Sequence, residues 1–153
     1  MTDSKQKSNG PALYSTRLES AVRLAARGHY HQFRKRADDA SSAAPGQPLP
    51  DDHIPYVTPL LGTMALLARL GVGDEVLAAA ALHDYLEDVP DPDGRQRIRD
   101  AAGDDVLELV LAVTENKRPE LDSAATWKTR KQEQISCIGS MPKDAVLIKG
   151  ADM

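Results

Sequence analysis

The stretch "DEVLAAAALHDYLEDVP" at 74–90 constrains the fold more than any other part of the chain. Its first half, "VLAAAAL", is apolar without a break and rich in Ala and Leu, the best helix formers. A helix that is apolar all round has no face to give to water, so it must be surrounded by other elements. The spacing predicts a helix from about Asp74 to Glu87, closed by Pro90, at the centre of an all-α bundle. Aromatic residues make up only 4% of the chain, which weighs against a sheet. No alternating polar and apolar segment is long enough to suggest one.

The second half of the stretch raises a charge problem. His83, Asp84, Glu87 and Asp88 crowd into six positions at the end of the buried helix. Burying charge is costly unless it is paired or bound to a cation. On one continuous helix His83 would lie over Glu87 and Asp84 over Asp88. An adjacent His-Asp pair can grip one metal ion, and a nearby Glu-Asp pair can handle the protons of an activated water. Mixed imidazole and carboxylate donors suit Mn, Fe, Co or Zn better than Ca. Solvated helix-end chemistry explains the same residues without a metal. Asp152 in "KGAD" is a candidate ligand from another helix.

The remaining helices follow from caps and periodicity. Thr16 is expected to cap the first, with Glu19 completing a capping box, and Leu18, Val22, Ala25, His29 and Phe33 form its apolar stripe. His29, with Gln32 beside it, reads as a hydrogen-bonded core histidine. Residues 37–54 read as a loop. Thr58 as cap and Pro59 as first helical residue open the second helix, which ends at Gly71 or Gly73. A short helix ends near Gly103, and "DDVLELVLAVTENK" forms another. The helix in "SAATWKTRKQEQISCIGSM" is expected to turn Trp127, Ile135 and Ile138 inward. After Pro142 a last helix stops short of three turns. Residues 1–14 read as a disordered tail and 15–153 as one domain, a size that suits a single core.

Bulk numbers exclude some functions. The chain is 41% hydrophobic and 27% charged, with a net charge of −4, so a basic surface for nucleic acid is not expected. Local basic clusters, at 34–36 and at Lys128, Arg130 and Lys131, suit an anionic small molecule or a solvated helix face. There is no apolar run long enough for a membrane span. The N-terminal "MTDSKQKSNG" lacks a signal-peptide core. The one cysteine, Cys137, fits a reducing compartment. A cytoplasmic protein is expected, and a homo-oligomer is compatible with these features.

The order "HYHQFRK", "IPYVTPLLG", "AAALHDYLEDV", "AVTENK", "WKTRKQEQI", "VLIKGAD" resembles the HD-domain superfamily. More narrowly, it is similar to the hydrolase domain of RelA/SpoT-type enzymes and small alarmone hydrolases, over about residues 16–152. The resemblance implies a helical bundle that binds one divalent metal, commonly Mn, and removes the 3′-pyrophosphate of guanosine tetra- or pentaphosphate. It implies His83, Asp84 and Asp152 as metal ligands and Glu87 and Asp88 as the water-activating pair. Arg34 and Lys35 match a nucleotide-contacting position, and Lys149 is a candidate phosphate contact. The family's further ligand, the histidine of "PYxxH", is replaced: aligned without a gap, Pro59 stands there, and proline offers a metal no side-chain donor. Asp152 is expected on a frayed last turn. These two departures predict a weakened metal site. They also define the alternative, a degenerate HD module that binds a nucleotide or a protein partner without catalysis.

Overall fold

In the computed structural model, residues 14–34, 54–115 and 123–152 are described. Among them lie eight helices: α1 (Thr16–Gly28), α2 (Val57–Ala68), α3 (Asp74–Leu82), α4 (Tyr85–Asp88), α5 (Gly94–Ala102), α6 (Asp104–Val113), α7 (Ser123–Ile138) and α8 (Lys143–Asp152). The described residues contain no strand, only an isolated antiparallel bridge between Phe33 and Pro55. The expected tail and the middle loop fall almost wholly outside the described residues, as does Lys35.

α3 is the hub. Every residue from Val76 to Leu82 is buried, and α1, α2, α5, α6 and α8 all pack on it. Its four consecutive alanines keep the neighbouring helices close. Larger side chains on those neighbours fill the space between, including Leu60 and Leu67 of α2, Ile98 of α5, Val110 of α6 and Ile148 of α8. Each fully buried aliphatic side chain of this kind contributes about 1.5–3 kcal/mol. Asp74 and Glu75 in the first turn of α3 favour the positive end of its dipole.

Several local expectations are corrected. Ser15, one residue before Thr16, caps α1, its hydroxyl accepting from the Leu18 N–H at 3.1 Å. Glu19 is thereby displaced from the capping-box position and pairs with Arg23 instead. α1 ends at Gly28, so Phe33 lies beyond it. α2 begins at Val57, with Tyr56 rather than Thr58 at the cap and Pro59 inside the first turn, where its missing N–H costs nothing. α7 does not turn its large apolar residues inward: Trp127, Ile135 and Ile138 are 58%, 69% and 44% exposed. Only Arg130 is buried among its described side chains.

The expected single helix over 74–87 is broken. α3 stops at Leu82, His83 and Asp84 form a turn, and α4 resumes at Tyr85. Neither glycine nor proline marks the break. The residue after it, Tyr85, is buried, with its ring close to Gly28 and Gly94 and its hydroxyl donating to Asp91 at 3.0 Å. Burial, with Asp91 adding to it, pushes the Tyr85 phenol up to about 12.

Candidate metal and phosphate site

His83 sits at the break and is 3% exposed. Its Nδ1 donates to the Ala80 carbonyl at 2.7 Å, which leaves Nε2 as the lone-pair nitrogen of a neutral ring. That Nε2 is buried without a hydrogen-bond donor. It faces two carboxylates, with Asp152 Oδ1 at 3.1 Å and Asp84 Oδ1 at 3.4 Å. A lone pair aimed at two anions is unfavourable unless a proton or a cation lies between them. Without a cation the proton is favoured. Burial pushes the His83 pKa down, but Asp152, Asp84 and the Ala80 carbonyl together raise it above its ordinary value. Asp152 moves the opposite way, held low chiefly by its contact with His83. The last turn that carries Asp152 is helical and engaged with His83, rather than frayed.

The other oxygen of Asp84 is held separately. The Tyr56 hydroxyl lies 2.8 Å from Asp84 Oδ2 and 2.6 Å from Asp88 Oδ2. Burial first, then Asp88 and Asp84, push the Tyr56 phenol far above its ordinary range, so it acts as a donor. Asp84 and Asp88 thus share a face, as expected. Glu87 turns elsewhere: its Oε1 accepts from the Glu115 N–H at 2.6 Å. The Glu115 carboxylate in turn binds Arg130 at 2.7 Å and Gln134 at 2.9 Å, both on α7.

Apart from His83 and Arg130, which lie behind Asp84, Asp152 and Glu115, the site's polar side chains border a cleft of about 570 Å³. Asp84, Glu87, Asp88 and Asp152 supply its acidic floor. Lys131 of α7 and Lys149 of α8 supply cations on its wall, and Ile135, Ile138 and Met141 supply an apolar side. Such a cavity offers a nucleotide-sized ligand charge for phosphates and apolar surface for a base.

Most of the sequence-predicted residues therefore meet. His83, Asp84 and Asp152 come together, Glu87 and Asp88 line the same cleft, and Lys149 lies on its wall. Arg34 does not line it. It is exposed, and its backbone N–H donates to the Ile54 carbonyl at 2.9 Å. Pro59 does not line it either; Tyr56, the cap residue before α2, does. Sequence reasoning passed over Tyr56, although its place beside Pro55 in "PY" was the available signal. Glu115 and Gln134 carried no such signal.

The donor set fits a divalent cation in kind. Cis donors on an ion with bonds of 2.0–2.2 Å stand about 3 Å apart, close to the His83–Asp152 and His83–Asp84 separations. The set is incomplete in number. Among the described residues no group of three or more His, Cys, Asp or Glu side chains is placed to hold a metal ion, His83, Asp84 and Asp152 included.

Fold and site together define a class, a helical bundle carrying a His-Asp pair at the break of its buried central helix. The chain belongs to the HD domain family, whose pattern it matches over residues 21–152. It is 30% identical over 151 residues to the GTP pyrophosphokinase of Streptomyces coelicolor, across 95% of this chain and 15% of that protein. It is 32% identical over 104 residues to the guanosine-3′,5′-bis(diphosphate) 3′-pyrophosphohydrolase of Haemophilus influenzae, across 64% of this chain and 14% of that protein. A solved structure, of a metazoan ortholog of SpoT that hydrolyzes ppGpp and plays a role in starvation responses, superposes with a TM-score of 0.71 at 27% identity. That match covers 92% of this chain and 67% of the other. The chain spans about 15% of the length of the GTP pyrophosphokinase it matches. No helix of the described residues is long and apolar enough to cross a membrane.

Proposed function

We propose that this chain is a metal-dependent phosphohydrolase acting on the 3′-pyrophosphate of guanosine tetra- or pentaphosphate, or of a related nucleotide, in the cytoplasm. The observation that carries the proposal is the buried His83 Nε2 aimed between Asp84 and Asp152 at the edge of a cleft with two lysines on its wall. His83, Asp84 and Asp152 would hold the cation, for which manganese is our expectation. When bound, it supplies a polarised water and neutralises phosphate charge. Asp88, oriented by Tyr56, and Glu87, anchored by the Glu115 amide, orient the attacking water and take its proton. Lys131 and Lys149 balance the charge of the two phosphates of the pyrophosphoryl group. The water oxygen bonds to the phosphorus on the 3′ oxygen, the bond between that phosphorus and the 3′ oxygen breaks, and the 3′ oxygen takes up a proton to become a hydroxyl as pyrophosphate is released. Manganese-dependent release of pyrophosphate from guanosine tetraphosphate tests the reading. No release at high enzyme and metal concentration removes it.

One observation favours a second reading, a degenerate module that binds nucleotide without turning it over. Pro59 brings no donor, and among the described residues no group of three or more His, Cys, Asp or Glu side chains is placed to hold a metal ion. Calorimetry would then show nucleotide binding without turnover. The appearance of activity in P59H would mark a lapsed hydrolase.

A further inference from the structure

Tyr56 belongs to a unit that grips Asp88 at two points. Its ring stacks on His29 with centroids 4.8 Å apart and planes 24° apart. His29 is buried, and its Nδ1 bonds Gln32 Oε1 at 2.7 Å. The Gln32 amide donates to the Asp88 carbonyl at 2.6 Å. The Tyr56 N–H donates to the Gln32 carbonyl at 2.9 Å, which closes the unit on itself. Asp88 is therefore held by its backbone through Gln32 and by its carboxylate through the Tyr56 hydroxyl. The same hydroxyl reaches Asp84, the residue that caps α4.

We infer that Tyr56 is a positioning residue of this site, tying the carboxylates of Asp84 and Asp88 together at the two ends of α4. The tie keeps the free oxygen of Asp84 toward His83 and the carboxylate of Asp88 toward the cleft. The Asp88 N–H donates to the Asp84 carbonyl at 3.0 Å, which fixes the backbone of the pair but leaves both carboxylates free to rotate about their side-chain bonds. Their relative orientation therefore needs an anchor outside the main chain. Tyr56, fixed by its stack and its main-chain bond, is that anchor. The assignment rests on the hydrolase reading for what Asp88 does, but not for the tie itself.

Tyr56→Phe keeps the ring and the stack and removes only the hydroxyl. The test compares wild type, Y56F and a chain with 3-fluorotyrosine at 56, which retains the hydroxyl. Three quantities are read: the carboxyl carbon resonances of labelled aspartates, Mn²⁺ affinity by calorimetry, and kcat with KM. In Y56F the Asp84 and Asp88 resonances should move while those of Asp91 and Asp105 stay. Mn²⁺ affinity should fall about tenfold, the usual cost of losing a partner that orients a metal ligand. kcat should fall by about tenfold as well, with KM within about twofold of wild type. The fluorinated chain should match wild type in all three. A raised KM with kcat and Mn²⁺ affinity intact would make Tyr56 a substrate contact and overturn the inference. Wild type without turnover under any metal removes the hydrolase reading alone. The resonances and Mn²⁺ affinity then decide for Tyr56, and unchanged values in Y56F overturn the tie.

Discussion

His83 Nε2 and Asp152 Oδ1 meet at 3.1 Å, joining the end of the central helix α3 to the last turn of α8. Asp152→Ala should therefore weaken Mn²⁺ binding by about tenfold or more, since it removes one of the three donors that come together. Calorimetric titration checks this. Equal affinity in the two proteins would take Asp152 out of the metal set.

The same pair sets a pH dependence. The folded pKa of His83 is raised above 6.5, so its contribution to metal-free stability is complete below 6.5 and is lost as pH rises through the raised value. The folded pKa of Asp152 is lowered below 3.8, so its contribution is present above 3.8 and is lost as pH falls through the lowered value. Metal-free stability from this contact is greatest between those limits and declines on the alkaline side. Asp152→Asn should flatten that decline in denaturant titrations. Mn²⁺ has to displace the His83 proton, so its affinity should be higher at about pH 8.5 than at about pH 5.5.

Glu87→Gln and Asp88→Asn should each lower kcat by about 10²–10⁴-fold, the usual contribution of a proton-handling group. Mn²⁺ affinity should stay within about threefold, because neither carboxylate contacts His83 Nε2. Steady-state pyrophosphate release beside calorimetry separates the two effects. A collapse of metal affinity in D88N would move Asp88 into the ligand set.

Leu82 is completely buried in the last turn of α3, immediately before the His-Asp turn. Leu82→Ala should cost about 2–5 kcal/mol, by lost transfer energy and the cavity left behind. Thermal denaturation should show Tm lowered by roughly 2–4 °C for each kcal/mol. A loss under about 1 kcal/mol would mean that the neighbouring helices collapse into the space.

Gly28 ends α1 against the Tyr85 ring, and a Cβ there would overlap the ring and crowd Val89. Gly28→Ala should destabilise the fold by about 1–3 kcal/mol, the range of an overpacked contact. It should also disturb α4, because Tyr85 begins that helix. Chemical denaturation gives the first effect, and backbone amide shifts at Glu87 and Asp88 give the second.

The parts of this structure that were legible in the sequence are those fixed by local chemistry. "VLAAAAL" had to be central because no side of it could face water, and the buried run from Val76 to Leu82 agrees. His29 read as a bonded core histidine, and it is buried against Gln32. What failed needed long-range information. The break at His83–Asp84 carries no helix breaker, and the residue that follows it packs beside Gly28 of another helix, which local spacing does not reveal. α7 was misread because periodicity finds an apolar side without saying what that side faces. Ile135 and Ile138 line the cleft, and Trp127 faces outward. Tyr56 escaped notice because its two carboxylate partners lie on another element.

Among the described residues α7 adds no hydrophobic side chain to the central cluster or to its partly buried rim. Its ties are polar, from Arg130 and Gln134 to Glu115. Heat capacity of unfolding tracks the apolar surface exposed. Detaching α7 would therefore add little to the heat-capacity change of unfolding, and its heat would come from its own helical bonds and its polar ties. One wall of the cleft thus rests on electrostatic contacts, which salt weakens, while the floor rests on packing, which salt does not.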